Sequence, residues 1–476
     1  MIPLTLAEIA TVVSGRPHDI PDAQVKVTGP VVYDSREVVP GGLFAAYDGQ
    51  RVDGHDFARQ AVAAGAVAVL ATRPVGVPAI VVDDVTAALG ALARHVVTAL
   101  GTAVVALTGS SGKTSTKDLL AQLLEADAPT VWTPGSLNNE IGLPVTALRA
   151  DATTRHLVLE MGARGIGHIR YLTGLTPPRI GLVLNVGTAH LGEFGGVEQI
   201  AQAKGELVEC LPSAEDGGVA VLNADDPRVR AMAARTRARV VLFGESADAD
   251  VRAEDVSLGA GGRPSFTLHT PSGCSDVTLR LYGEHHVSNA LAAAAVAHEL
   301  GMPADAIAQA LNHARGLSKW RMDVTERADG VTVVNDAYNA NPDSMRAALR
   351  ALAAMAGGGA DGVPRRTWAV LGEMAELGEA ALAEHDAVGR LAVRLNVSRL
   401  VAVGGREAAW LDMGAKNEGS WGEESVHVSD ARAAIDLLRS ELRPGDVVLV
   451  KASRSVGLEQ VAQELLADPE GGVAGR

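Results

Sequence analysis

Short apolar runs alternate with amphipathic stretches through most of this chain. In the central part, the apolar runs are long enough for buried strands and lie at residues 102–107, 156–160, 180–186, 220–223 and 240–244. The stretch after the first run places leucines at 119, 120, 123 and 124, which is the spacing of one helix face. Strands separated by helices are typical of a parallel sheet with helices on its faces. The pattern therefore predicts an α/β fold.

The pattern differs on either side of this central region. At the start of the chain, short β-like runs at 25–32 and 79–82 accompany an alanine-rich helix at 57–64. The alternation at 251–281 predicts β hairpins, and a long alanine-rich helix follows at 287–300. These changes place one boundary near residue 100 and show that the central domain ends in a different kind of sheet.

Strand and helix alternate again after Trp320. The short β-rich runs lie at residues 331–335, 367–371, 400–403 and 447–450. Asn341 followed by Pro342 predicts a helix start, with the asparagine as N-cap and the proline at the first helical position. We predict three domains: a small α/β N-terminal domain at 1–100, a central P-loop-type parallel-sheet domain at 101–318 and a C-terminal Rossmann-like domain at 319–476.

A glycine-rich loop between the first central strand and its helix is the basis for the P-loop assignment. Its sequence is Gly109-Ser110-Ser111-Gly112-Lys113-Thr114, followed by Ser115. Such a loop turns backbone N–H groups toward one point at a helix N-terminus, where an anion is favoured. Its lysine contacts the terminal phosphates of a nucleoside triphosphate, and its threonine binds Mg²⁺. The match is imperfect, because Leu107 stands where the usual spacing of the motif has a glycine. The alternative to a phosphate-binding loop is a glycine turn with an exposed lysine.

Two residues follow strands at the same edge of the sheet as this loop. Glu160 ends one predicted strand, and His190 lies just past another. Ligands of open parallel sheets bind beyond the carboxyl ends of the strands, so both side chains should face the phosphate loop. A carboxylate there is expected to bind Mg²⁺, whereas the alternative is a solvated loop acid. His190 alone is weaker evidence for a metal site, because a lone histidine is more often structural than a ligand.

Lys204 lies in the apolar stripe of a helix predicted at 197–211, four residues from both Ile200 and Val208. An inward-facing lysine must be paired, be neutral, or extend its amine to water. Extension to water is the commoner outcome. A lysine amine whose pKa is lowered by burial would instead be reactive.

Polar residues at the ends of C-terminal strands provide further candidates. Asp336 suits ribose hydroxyls, although a helix-capping loop is an equal alternative. Arg321 lies at the junction between the second and third domains, where a cation can reach phosphates across a cleft. The basic, hydroxyl-bearing loop 451–455 favours substrate contact over a solvated surface. In the first domain, the turns at 34–36 and 53–55 show no pattern of metal ligands or nucleophiles.

Composition narrows the classes of partner. The net charge is −15, from 42 basic and 57 acidic residues, which argues against nucleic acid or a lipid surface as the main partner. The 2 cysteines, Cys210 and Cys274, have no metal-ligand spacing. The N-terminus does not have the pattern of a signal peptide, and no apolar stretch reaches the roughly 18 residues of a membrane span. These features predict a soluble protein of the cytoplasm.

Together the motifs resemble the Mur ligase family over nearly the whole chain. The phosphate loop matches the shortened form of that family, which accounts for Leu107. The segments 335–345 and 371–378 resemble the member that adds D-alanyl-D-alanine, and the Asp-Asn-Pro-Arg motif of the member adding the third amino acid is absent. The resemblance implies a monomeric, ADP-forming ligase of peptidoglycan precursor synthesis. It would join D-alanyl-D-alanine to UDP-N-acetylmuramoyl-tripeptide through an acyl phosphate, using ATP and two Mg²⁺ ions.

The resemblance also implies residue roles. Catalysis falls on Lys113, Glu160, His190 and Lys204. The metal ligands would be Thr114, Glu160, His190 and Lys204, the lysine as a carbamate. Nucleotide contacts beyond the phosphate loop fall on Asn289, Arg321, Asp336 and Asn339. Substrate contacts fall on Ser35, Arg36, Asp53, His55, Asn138, Asn139, Lys451, Ser453 and Arg454. The chain departs from the family at His286 and Ser136, since asparagine is usual at both.

Two rival functions stay open from the sequence. Folylpolyglutamate synthase belongs to the same superfamily and shares the phosphate loop and the lysine, but the first domain argues against it. A nucleotide-dependent switch or assembly protein without ligase chemistry is the rival from another class. ADP release that requires both peptide substrates would exclude the switch protein.

Overall fold

The N-terminal domain is built on a small mixed sheet. The computed structural model describes residues 1–49, 52–188, 191–259, 261–357, 363–419 and 424–467. The strands are β1 (Leu4–Thr5), β2 (Arg16–His18), β3 (Lys26–Val27), β4 (Val31–Val32), β5 (Leu43–Ala45), β6 (Ala68–Ala71) and β7 (Ala79–Val81). The helices are α1 (Leu6–Val12), α2 (Ala58–Ala63) and α3 (Val85–Leu100). The main sheet has the order β2-β7-β6-β5-β4 and is parallel except at β2, while β1 pairs with β3.

Helix α3 ends this domain with clear start and stop signals. The Asp84 carboxylate accepts hydrogen bonds from the backbone of Thr86 and Ala87, which satisfies free N–H groups at the helix start. Gly101 takes a left-handed conformation with φ +60° directly after the helix. The chain then enters the first strand of the next sheet. The boundaries near residues 100 and 318 remain predictions.

The central domain contains a long sheet with helices on both faces. Its strands are β8 (Ala103–Thr108), β9 (Thr130–Trp132), β10 (His156–Glu160), β11 (Ile180–Val183), β12 (Val219–Asn223), β13 (Arg239–Gly244), β14 (Val251–Leu258), β15 (Pro264–Thr270) and β16 (Gly273–Thr278). Its helices are α4 (Lys113–Glu125), α5 (Gly142–Ala147), α6 (His168–Leu175), α7 (Leu191–Phe194), α8 (Val197–Glu209), α9 (Pro227–Arg230), α10 (His285–Glu299) and α11 (Ala304–His313).

The strand order of this sheet places the phosphate loop at a switch point. The order is β16-β15-β14-β13-β12-β11-β8-β10-β9, parallel from β9 to β14 and antiparallel at β15 and β16. Successive strands lie on opposite sides of β8, with β10 on one side and β11 on the other. A crevice therefore opens beyond the carboxyl end of β8, where ligands bind in open α/β sheets.

The C-terminal domain is a second parallel sheet. Its strands are β17 (Asp323–Glu326), β18 (Thr332–Asn335), β19 (Thr367–Gly372), β20 (Arg399–Val403), β21 (Ser425–Val428) and β22 (Val447–Lys451), in the order β17-β18-β22-β19-β20-β21. Its helices are α12 (Pro342–Ala356), α13 (Ala381–Arg394), α14 (Arg406–Glu418), α15 (Ala431–Glu441) and α16 (Glu459–Ala467). The sheet is parallel except at β17. Asn341 caps α12 and Pro342 is its first residue, as predicted.

The core is made mainly of alanine, valine and leucine. Helix α10 is buried along most of its length, and its alanines at 292–295 let it lie close to α4 and to the sheet. Small side chains at that contact allow two helices and a sheet to approach closely. This packing brings the start of α10 to the phosphate loop. Within the described part of the chain, no helix is both long and apolar enough to span a membrane.

Candidate active site

A cavity of about 540 Å³ lies between the central and C-terminal domains, beyond the carboxyl ends of both sheets. It brings together residues from widely separated segments. The sequence-predicted residues that line it are Ser110, Ser111, Gly112, Lys113, Thr114, Ser115, Asn138, Asn139, Glu160, Lys204, Arg321, Asn339, Ser453 and Arg454. His190 lies outside the described residues. The phosphate loop, the acid at the end of β10 and the helix lysine therefore share one space.

The phosphate loop joins β8 to α4 in the geometry that anion binding needs. Gly112 has φ +78°, and a Cβ added to it would lie 2.6 Å from the Asn289 carboxamide oxygen, so both backbone and space require glycine. Lys113 begins α4, and its Nζ donates to the carbonyl of Gly109 at 2.8 Å. Burial lowers the pKa of this lysine. The loop thus holds its cation folded back over the helix N-terminus.

The side chain of Asn185, two residues after β11, is hydrogen-bonded to the backbone of the phosphate loop. Its carboxamide oxygen accepts from the backbone N–H groups of Ser110 and Ser111, at 3.0 and 2.9 Å. These N–H groups point toward one acceptor, which is the arrangement that binds a phosphate oxygen. Asn185 was missed by sequence reasoning, because an asparagine after a strand is common and carries no motif.

Glu160 and Thr114 form an oxygen-rich corner beside the loop. The Thr114 hydroxyl donates to Glu160 Oε2 at 3.0 Å, and Asn138 Nδ2 donates to Glu160 Oε1 at 2.7 Å. Glu160 is buried, and its position at the end of β10 fixes it next to β8. A carboxylate, a hydroxyl and a carboxamide are the ligand types that Mg²⁺ and Ca²⁺ accept.

Lys204 lies on α8 with its side chain buried in the cavity wall. Its neighbours Ile200 and Val208 are fully buried on the same helix face, as the sequence pattern predicted. Burial lowers the pKa of this amine well below its ordinary value, and the nearby charge of Lys113 lowers it further. A lysine in this environment is favoured in its neutral, nucleophilic form.

Arg321 approaches the loop from the segment that joins the two domains. Its guanidinium lies over the Tyr338 ring, 4.2 Å from the ring centre, and one of its nitrogens is 3.5 Å from both the Thr114 and Ser136 hydroxyls. Its Nε is buried and has no hydrogen-bond partner among the described residues. Stacking on an aromatic ring holds the planar cation while leaving donors free for an anion.

Family profiles match three parts of the chain. The Mur ligase family catalytic domain matches residues 30–97, the Mur ligase middle domain 107–297 and the Mur ligase glutamate ligase domain 320–454. A Mycobacterium tuberculosis protein named UDP-N-acetylmuramoyl-tripeptide--D-alanyl-D-alanine ligase is 53% identical, with 98% of each chain covered. The chain belongs to the Mur ligase family.

Solved structures of Mur ligases confirm the three-domain α/β fold. MurF from Acinetobacter baumannii superposes with a TM-score of 0.85 at 33% identity, covering 98% of this chain and 99% of that one. MurF ligase from Thermotoga maritima in complex with ADP superposes with a TM-score of 0.78 at 31% identity, covering 93% and 98%. The family resemblance and fold class predicted from the sequence are thus correct.

Several predicted residues lie apart from the cavity of this Mur ligase. Asn289 is buried behind the loop, where its carboxamide oxygen accepts from the Thr116 hydroxyl at 3.2 Å. Asp336 and Lys451 form a buried ion pair at 2.6 Å, and Asp336 also accepts from the backbone of Met322. Gly109 is likewise absent from the lining. The roles predicted for these residues stay predictions, and the ion pair supplies a structural role for Lys451.

The first-domain residues form two separate polar turns. Arg36 pairs with Asp34 at 2.6 Å and is mostly exposed, next to Ser35 in a short 3₁₀ turn. His55 is buried, with Nδ1 2.6 Å from Asp53 and Nε2 accepting from the backbone of Thr72. None of the four predicted residues of this domain lines the cavity between the other two domains. Their substrate role therefore depends on a substrate long enough to reach both places.

The cavity also includes residues that sequence reasoning missed. Those that carry polar side chains, in loops after strands or in the first turn of the helix that follows, are Arg164, His168, Tyr338, Asn341, Ser344 and Glu376. Arg164 and His168 belong to the turn and helix after Glu160, and His168 lies 3.3 Å from Glu140. The available signal was position, because each follows the carboxyl end of a parallel strand. No residue type in that set is specific enough to identify a binding site without its position.

Removing Lys451 should destabilise this Mur ligase strongly. We expect Lys451→Met to lower the free energy of unfolding by roughly 3–5 kcal/mol, because it leaves the buried Asp336 carboxylate without its cation. Urea denaturation would measure the change. Lys416→Met is the matched control, since Lys416 is half exposed in its pair with Asp412 and should contribute about 0–1 kcal/mol. Equal effects of both substitutions would contradict the structural role.

Proposed function

We propose that this Mur ligase joins D-alanyl-D-alanine to UDP-N-acetylmuramoyl-tripeptide and in the same reaction cleaves ATP to ADP and phosphate. The observation that carries the proposal is the cavity in which Lys113, Glu160, Lys204 and Arg321 meet between two domains. The names of the relatives specify these substrates, and the solved relative from Thermotoga maritima binds ADP. Acyl transfer through a phosphorylated carboxylate needs cations beside the phosphoryl group, and it needs space for an amine to approach the acyl carbon.

The chain's own residues can support the first step in a defined way. The substrate carboxylate attacks the γ-phosphorus of ATP, the bond to the β-γ bridging oxygen breaks, and ADP leaves. Lys113 and the N–H groups of the loop would bind the phosphates. Arg321 would neutralise charge on the phosphoryl group from the opposite side. Positioning and electrostatics account for most of the catalysis in reactions of this kind.

The second step forms the amide. The amine of D-alanyl-D-alanine attacks the acyl carbon, the bond to the phosphate oxygen breaks, inorganic phosphate leaves, and the amine loses a proton. Water would hydrolyse the same intermediate, so the site must exclude it. The contact between Thr188 and Asp343, whose backbone N–H and carboxylate are 2.9 Å apart, closes the central domain against α12 beside the loop. Such closure would protect the acyl phosphate.

The oxygen-rich corner fits a divalent metal. Thr114 and Glu160 would hold Mg²⁺, with His190 and modified Lys204 as further ligands, and we propose two such ions. When bound, Mg²⁺ would neutralise charge on the phosphoryl group and polarise its oxygens. The fit rests on the carboxylate and hydroxyl already placed 3.0 Å apart at the phosphate loop.

Lys204 would serve this site as a carbamate. Its burial and lowered pKa favour the neutral amine, which adds CO₂ and loses a proton to give an anionic carboxylate. The modification replaces a buried cation beside Lys113 with an anion, which removes the repulsion between two lysines. Asp336, Asn289 and Asn339 would contact the ribose and base.

The first domain would bind the uridine diphosphate end of the substrate. We expect Arg36→Ala to raise the KM for UDP-N-acetylmuramoyl-tripeptide about tenfold with little change in kcat, because an exposed cation would lose its hydrogen bonds to phosphate far from the reacting carboxylate. Steady-state kinetics with varied precursor would measure this. Arg16→Ala, at another exposed position of the same domain, should leave both constants unchanged. A fall in kcat alone would contradict the assignment.

Substrate dependence tests the proposed function. The purified chain would be incubated with ATP, D-alanyl-D-alanine and each candidate UDP-precursor, and products would be identified by mass spectrometry. A product equal in mass to the tripeptide precursor plus the dipeptide minus water supports the ligase. Extension of a folate instead would support folylpolyglutamate synthase, and ADP release without either peptide substrate would support a switch protein. We also propose that the enzyme is a cytoplasmic monomer, which sedimentation and cell fractionation can check.

A further inference from the structure

The segment that carries Arg321 is attached along one face of the phosphate-loop helix. Residues 314–322, here called the connecting segment, join α11 to β17 between the two domains. Gln122 of α4 donates to the Arg315 carbonyl at 2.9 Å and accepts from the Arg315 N–H at 3.1 Å. One turn nearer the loop, both carboxylate oxygens of Asp118 accept from Ser318, one from its N–H at 2.9 Å and one from its hydroxyl at 3.1 Å.

The anchor on α4 is buried and charged. Lys117 and Asp118 form an ion pair at 2.6 Å with both side chains almost fully buried. The Lys117 amine also donates to the carbonyls of Thr133 and Gly135, at 2.9 and 3.1 Å. Asp118 is therefore fixed from behind by a lysine that is itself bound to the loop after β9. A segment attached to such a pair cannot shift without breaking buried polar contacts.

The other end of the connecting segment is attached to the C-terminal domain. The N–H of Met322 donates to Asp336 at 3.1 Å, and the carbonyl of Trp320 accepts from the N–H of Tyr338 at 3.2 Å. Trp320 and Met322 both have left-handed backbones, with φ +60° and +49°. Non-glycine residues keep that conformation only where the surroundings enforce it. Arg321 lies between them, held from two domains at once.

We infer that Asp118 and Gln122 are positioning residues for Arg321, acting through the connecting segment. Neither residue is among those that line the cavity. They fix the distance between the start of α4, where the phosphate loop lies, and the guanidinium that faces it. The inference rests on the proposed role of Arg321 in phosphoryl transfer, and it adds residues that hold that cation in register with Lys113.

Kinetic coupling tests the inference. Gln122→Met removes both bonds to Arg315. Ser318→Ala removes the hydroxyl's bond to Asp118 and its 3.5 Å contact with the Lys117 amine, while leaving the Lys117–Asp118 pair intact. We expect the double variant to lose about tenfold in kcat while the KM for ATP changes less than about threefold, since misplacement of a catalytic group affects the transition state most. Ser318→Thr should retain activity because it keeps the hydroxyl.

A double-mutant cycle separates positioning from general destabilisation. In an Arg321→Lys background, the same pair of substitutions should cost less than about twofold in kcat, because the cation they position has already been displaced. Glu125→Gln, at an exposed position on the same helix, is the control and should be neutral in both backgrounds. Equal losses in both backgrounds, or no loss in the otherwise unaltered enzyme, would overturn the inference. If the double variant melts below the assay temperature, the single variants are measured in its place.

Fluorescence of Trp320 gives a readout that does not depend on ligation. Trp320 lies next to Arg321, and the Arg454 guanidinium is 4.5 Å from its ring centre, so phosphate binding should change its surroundings. The chain has 5 tryptophans, so the signal of Trp320 is taken as the part of the ATP-induced fluorescence change that is lost in Trp320→Phe. It should be smaller in Gln122→Met/Ser318→Ala. An identical change in the variant would reject the positioning role even if the proposed substrates gave no product.

Discussion

Replacing Lys113 with alanine is expected to abolish ligation in a chain that still folds. The residue begins α4, and its half-buried side chain lines the cavity together with Glu160, Lys204 and Arg321. Loss of a positioned cation in phosphoryl transfer costs about 10³-fold or more in kcat. Alanine is a good helix former, so α4 should persist.

The measurement is single-turnover formation of ADP and of the ligated product. Circular dichroism and a melting curve would establish that the variant is folded. Lys26→Ala, an exposed lysine in the first domain, is the matched control and should keep full activity. Product formation near the unaltered rate by a folded Lys113→Ala protein would show that the loop does not bind the reacting phosphates.

Much of the fold could be predicted because buried parallel strands are continuous apolar runs. The strand at residues 156–160 and the hairpins after residue 251 agree with the structure, and so does the start of α12 at Asn341. The strands that were not predicted are β1, β2, β5, β6, β9, β17 and β21. β17 has the sequence Asp323-Val324-Thr325-Glu326 and lies at a sheet edge, so its residues are mostly solvated and carry little apolar signal. The strand predicted at 180–186 ends at Val183, since the chain leaves the sheet before Asn185.

The site was predictable where chemistry and position coincide in one motif. Lys113 belongs to the glycine-rich loop motif after β8, Glu160 ends β10, and Lys204 interrupts an apolar stripe, so each could be found in a single segment. Contacts that depend on the approach of distant segments left no local pattern. Lys451 was expected to face substrate, yet it is paired with Asp336 inside the C-terminal domain. Only the parallel pairing of β18 and β22 brings these two strand ends together.

The connecting segment illustrates the same limit at the level of mechanism. Arg321 was noticed because it lies at a domain junction, but nothing in the sequence links it to Gln122, nearly two hundred residues earlier. The link arises because α11 ends beside α4 and the chain then runs back along that helix. A cation that must face a phosphate loop from another domain needs such an attachment, since its own side chain is long and flexible. Helix α4 thus has two roles in this proposal: its N-terminus forms part of the phosphate loop, and its side holds the connecting segment that carries Arg321.

Lys204 is expected to carry a carbamate in the active enzyme, and its loss should nearly eliminate activity. Its amine is buried beside Lys113, where a second cation would be repelled and a neutral amine is favoured. Lys204→Ala should lower kcat about 10²-fold or more, because the anion that helps to hold the metal is missing. Lys204→Arg should not restore activity, since it keeps a positive charge where an anion is required.

Two measurements distinguish a carbamate from an ordinary buried lysine. Added acetate or another short carboxylate should partly restore Lys204→Ala by occupying the vacated space, and it should not restore Lys113→Ala, which lacks a cation. In ¹³C-bicarbonate, the unaltered enzyme should show a carbamate carbon resonance that Lys204→Ala lacks and the control Lys26→Ala retains. A high-resolution map of the nucleotide complex with an unmodified Lys204 amine directed to solvent would refute the carbamate, and the metal would then need a different anionic ligand.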